Sequence, residues 1–117
     1  MQNLKINGRN WKVAFFDPNN YTEDDGVPLG LTKYTEQMIF INQTLNSECL
    51  YNTLKHEITH AYRWSYGFVI DTHDTSFSMA EVEEMMANFI EAFGEQVIEA
   101  SRDMYKKLEK EKNGKKI

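Results

Sequence analysis

One cysteine and two prolines are all that this chain of 117 residues holds of either type. The lone thiol, Cys49, excludes an internal disulfide framework and a zinc site built on cysteines. It is expected to be a small buried apolar residue, and a reducing cytoplasm is the simplest home for such a chain. Both prolines fall between Asp17 and Pro28, a stretch rich in Asp, Asn, Gly and Pro that reads as loop. Long apolar runs are missing too. None approaches membrane-spanning length, and Met1 to Asn10 lacks the apolar centre of a signal peptide. Lys and Arg number 13 against 18 Asp and Glu, a net charge of -5. A face that tracks a phosphate backbone would be basic, so neither nucleic acid nor membrane is expected as a partner.

What is present belongs to a single globular domain. A hydrophobic content of 41% is enough for one modest core but not for two. Residues 1–44 read as a small antiparallel sheet of three or four strands. Leu4-Lys5-Ile6 and Trp11 to Phe16 flank Asn7-Gly8, a strong hairpin signal. Gly30 to Thr35 and Gln37 to Asn42 suggest a second hairpin turning near Glu36, with Leu31, Lys33 and Thr35 on one side in an imperfect alternation. A helix is expected over 45–67, with Asn46 or Ser47 as its cap and Gly67 as its stop. Ser78 and Glu81 stand at capping-box spacing before a second, long helix over 78–108. Its apolar stripe is Val82, Met85, Met86, Phe89, Phe93 and Val97. Residues 109–117 mix Lys and Glu with Asn113-Gly114 and read as a solvated tail. The fold class is therefore α+β, a sheet followed by two helices.

The middle helix carries His56-Glu57-Ile58-Thr59-His60, the His-Glu-x-x-His pattern of zinc peptidases. Histidines four positions apart rise on one helical face and can reach one ion together. Glu57 points about a quarter-turn away, where a carboxylate can serve a metal-bound water without itself being a ligand. A catalytic zinc needs three protein ligands and an open position, so a third donor has to be found.

The metzincin extension is excluded, because Arg63 and Tyr66 stand where it requires Gly and His. Glu84, some twenty-odd residues past His60, would give the His₂Glu set of thermolysin-type sites. Asn88, one turn further on, could then hydrogen-bond a ligating imidazole. Glu81 and Glu83 are neighbouring alternatives, and the helical wheel alone does not choose Glu84 among them. His73 is another alternative. It lies in Asp71-Thr72-His73-Asp74-Thr75-Ser76-Phe77, which is similar to the Asp-x-His-Gly-x-x-Phe segment of SprT-like metallopeptidases except that Asp74 replaces the Gly.

Asn52 to Ala61, Gly67 and Glu84-x-x-Ala87-Asn88 together resemble the ImmA/IrrE-like metallopeptidases, above all the small stand-alone forms of bacteriophages of Gram-positive hosts and related mobile elements. Lys5-Ile6-Asn7-Gly8, Gly30 to Tyr34 and Ile39-Phe40-Ile41-Asn42 extend the likeness over roughly Leu4 to Ile98. The resemblance implies a minimal zincin-like fold and a zinc ion on His56, His60 and Glu84. It also implies Glu57 as the catalytic acid and base, and Asn88 as the Asn of the Glu-x-x-x-Asn pattern. Glu83 departs from it, standing where related chains often place an apolar residue.

The expected activity is hydrolysis of peptide bonds in an intracellular protein, with a phage or mobile-element regulator as one such substrate. Glu57 would take a proton from the attacking water and pass it to the leaving amine. A donor for the oxyanion would come from Tyr34, Tyr62, Arg63 or Tyr66, which the sequence does not rank. The alternative is a zinc-binding regulatory or structural protein whose peptidase activity is vestigial.

Overall fold

The computed structural model describes residues 1–21, 26–68 and 77–114. Strand β1 (Gln2–Ile6) turns at Asn7-Gly8 into β2 (Arg9–Phe16). Both turn residues have positive φ, 49° and 75°, as a type I′ hairpin demands. A short 3₁₀ turn, Pro18–Asn20, is capped by the Asp17 carboxylate. Strands β3 (Gly30–Lys33) and β4 (Met38–Asn42) then form the second hairpin, closed by the bond from Gln37 N–H to the Tyr34 carbonyl.

The sheet runs β1-β2-β4-β3, and it is mixed. The two hairpins are antiparallel, as expected, but they meet through a parallel β2–β4 pair. This corrects the wholly antiparallel sheet read from the sequence. Parallel neighbours need a crossover of a dozen or more residues, and the chain from Phe16 to Met38, which includes β3, supplies it. Apolar pattern selects this register. Val13 stands opposite Ile39 and Phe15 opposite Ile41, so one face of the sheet carries Trp11, Val13, Ile39 and Ile41, all fully buried.

Two helices cover that face. Helix α1 (Ser47–Ser65) buries Leu50, Leu54, Ile58 and Ala61, one residue per turn or so along a single stripe. It ends where expected, with Gly67 at φ 79° and its N–H bonded to the Trp64 carbonyl. The first hairpin is tied to this end twice. Trp11 Nε1 donates to Ser65 Oγ and Asn7 Nδ2 to the Ser65 carbonyl, both at 2.9 Å. Asn46 is the cap residue, but its side chain makes no capping bond. Instead its Oδ1 accepts from Lys112 Nζ. Cys49 is exposed on the first turn of α1, not buried, because the helix stripe at Leu50 and Leu54 turns it outward.

Helix α2 (Met79–Gly114) opens with the capping box: Ser78 N–H donates to Glu81 Oε1 and Glu81 N–H to Ser78 Oγ. The apolar stripe is shifted along the helix from its expected position. Met86 is 60% exposed. Burial continues instead through Val97, Ser101, Met104 and Leu108, where α2 passes α1 and β1 lies beside it, Asn3 to Lys5 lining one hollow with Gln96, Ala100 and Met104. Residues 109–114 continue the helix, most of them exposed, and 115–117, the rest of the expected solvated tail, lie outside the described residues. Lys112 reaches across to the Leu45 carbonyl and over the Phe15 ring, and Glu111 binds the N-terminal ammonium at 2.9 Å. No helix among the described residues is long and apolar enough to cross a membrane.

Candidate metal centre

His56 and His60 lie on one side of α1, and their Nε2 atoms are 3.2 Å apart. Two nitrogens on a tetrahedral zinc, each about 2.0–2.1 Å from it, stand about 3.3 Å from one another. The pair therefore has the separation of two ligands sharing an ion. At the same distance a neutral ring can donate to its neighbour, so the arrangement is also stable without metal. Burial lowers the His60 pKa; His56 and Arg63 lower it further, while Glu57 opposes them. A ring held neutral is a ring free to coordinate.

Glu57 is buried, with its side chain only 8% exposed. It sits under β3, where Thr32 Oγ1 donates to Glu57 Oε1 at 2.8 Å. The other oxygen, Oε2, lies 3.9 Å from His56 Nε2. A carboxylate anchored by one oxygen and turned toward the imidazole pair by the other has the placement of a proton acceptor beside a bound water. No sequence signal pointed to Thr32. Its position follows from the register of β3, in which Thr32 and Gly30 stand opposite Ile39 and Ile41 on the helix-facing side. Leu31 pairs with Phe40, and Lys33 Nζ lies over that ring on the outer face. The strand thus turns its apolar residue outward and its small and polar residues toward the motif, the reverse of an ordinary core strand.

Of the four residues available as oxyanion donors, Tyr34 shares the field of Glu57. Burial raises its pKa first, Glu57 raises it further and Arg63 opposes, so the phenol keeps its proton. Its ring leans against Trp64. Tyr62 is buried toward Tyr66 and Glu99, and Tyr66 stacks on Phe93. Arg63 Nε donates to the Phe68 carbonyl.

The third ligand is where expectation and placement part. Glu84 is exposed on α2. It follows Val82 by two residues, about 200° around the helix, so with Val82, Met85 and Phe89 directed to α1 at Thr59 and Arg63, Glu84 points the other way. Asn88 is exposed on the Glu84 side, Glu83 is exposed as well, and Glu81 is occupied by the capping box. His73 lies outside the described residues. Among the described residues no three His, Cys, Asp or Glu side chains gather as a metal would require.

No family model, curated protein or solved structure matches this chain. Two imidazoles and one carboxylate fit the chemistry of a hydrolytic metal, and the packing of α2 leaves that donor set one short.

Proposed function

We propose that this chain is a zinc-dependent peptidase acting on peptide bonds of a protein in the cytoplasm, with the phage and mobile-element setting that the resemblance implies. The observation that carries the reading is the convergence of His56 and His60 at 3.2 Å with the Glu57 carboxylate beside them. His56 and His60 would hold the ion. Glu84 is the third ligand by resemblance alone, and joins them only if the first turns of α2 depart from the packing described above.

A zinc ion so held would supply a polarised carbonyl and a water of lowered pKa. The residues of the chain do the rest. Glu57 Oε2 takes a proton from the attacking water, and the same carboxylate returns it to the departing amine, so the acid and base are one group used twice. A donor for charge developing on the carbonyl oxygen would come from Tyr34, Tyr62, Arg63 or Tyr66, and of these Tyr34 lies in the field of Glu57.

A second reading, a zinc-binding protein with vestigial activity, is favoured by one observation: the described residues do not complete a three-ligand site. Zinc-loaded protein incubated with a peptide library and read by mass spectrometry separates the two. Cleavage that is absent in Glu57→Gln supports the peptidase. Stoichiometric zinc with no cleavage supports the second reading, and failure to bind zinc at all removes both.

A further inference from the structure

Glu57 is held from two directions by a single strand. On one side Thr32 Oγ1 donates to its Oε1 at 2.8 Å. On the other stands Gly30, where a Cβ would lie 2.8 Å from Glu57 Cγ, 3.2 Å from Glu57 Cδ and 3.0 Å from Thr53 Cγ2. Any side chain at residue 30 would have to displace the glutamate or push β3 off the helix. Gly30 is here for space, since backbone and carboxylate stem are in direct contact. With Oε1 tethered and the stem walled in, Oε2 is left at 3.9 Å from His56 Nε2.

We infer that Gly30 and Thr32 are positioning residues that fix the orientation in which the Glu57 carboxylate faces His56. The inference rests on the peptidase reading for its kinetic consequence, though not for its geometry. A glutamate has three rotatable side-chain bonds, and without the tether its carboxylate can swing away from the line of proton transfer. A misplacement of about 1 Å costs on the order of 100-fold in rate. The same geometry accounts for the inverted pattern of β3. Placing a leucine at residue 30 or 32 would bury more apolar surface, but it would remove the space at one position or the hydroxyl at the other.

The test uses the full chain with Thr32→Val, Thr32→Ser and Gly30→Ala. Zinc affinity is read by titration calorimetry, cleavage by steady-state kinetics on a fluorogenic peptide, and the Glu57 carboxyl environment by its ¹³Cδ shift in the metal-free protein. Thr32→Val and Gly30→Ala are expected to lower kcat by roughly 100-fold with KM and zinc affinity unchanged. Thr32→Ser is expected to restore both kcat and the ¹³Cδ shift that Thr32→Val moves. Wild-type kcat in Thr32→Val, or an equal loss in Thr32→Ser, overturns the inference. Should the wild-type protein cleave nothing, the peptidase reading fails and the shift alone decides. A ¹³Cδ resonance moved by Thr32→Val and restored by Thr32→Ser sustains the positioning role, and an unmoved one ends it.

Discussion

His56 Nε2 and His60 Nε2 stand 3.2 Å apart across one turn of α1. Helical spacing brings the two rings to the same side, and their rotamers bring the nitrogens to the separation of two zinc ligands. Glu57 is the acid close by, and it faces His56 through one oxygen only.

Removing one ring should remove the metal. His60→Ala is expected to weaken zinc binding by at least about 100-fold, whereas Glu57→Gln keeps it and loses cleavage by about 10²–10⁴-fold. Plasma-emission metal analysis of both variants, with peptide cleavage in parallel, checks this. Full zinc occupancy in His60→Ala contradicts the site.

Glu84 offers a sharper test, because it is exposed on α2. Glu84→Ala should leave the stability of the metal-free protein within about 0.5 kcal/mol. It should nevertheless weaken zinc binding, as loss of a ligand would. Calorimetric affinity unchanged in Glu84→Ala would show that the packing described for α2 persists with metal, and that Glu84 is no ligand.

Trp11 and Ser65 provide a test of the fold alone. The indole N–H is fully buried and donates to Ser65 Oγ at 2.9 Å. Ser65→Ala leaves that donor without its partner and should cost about 1–3 kcal/mol, measured by urea unfolding. A cost near zero would mean that another acceptor takes the indole proton.

Acid should weaken the metal-free fold partly through His60. Its folded pKa is lowered below the ordinary 6.5, chiefly by burial. As pH falls past 6.5, the unfolded chain takes up a proton before the folded one does. The unfolded state then binds more protons, and stability falls until the pH passes the folded pKa. His60→Asn should flatten this part of the profile. Unfolding midpoints compared at about pH 7.5 and about pH 5.5 test it; an unchanged slope would show that His60 does not titrate in this way.

Much of this was legible because it is local. Asn7-Gly8 demands positive φ at two successive residues, Gly67 ends α1 for the same reason, and Ser78 with Glu81 can bond only as a helix start. The interrupted alternation of β3 was legible only as a fault. Leu31 could be assigned to a face only once β4 had paired with it, and Thr32 could meet Glu57 only once α1 lay across the sheet. Helix α2 shows the opposite error. Its expected stripe gave equal weight to Met86 and Val97, but β1 joins α1 against the later turns of the helix, beside Ala100 and Met104, and Leu108 is buried while Met86 is not.

By itself the sequence determined the hairpins, the two helices and the pairing of His56 with His60, since each depends on residues a few positions apart under fixed helical or strand geometry. The tertiary structure decided the parallel β2–β4 contact, the Thr32 tether and Gly30 wall around Glu57, and the outward turn of Glu84. Those depend on which distant surfaces bury one another, and no spacing along the chain encodes that choice.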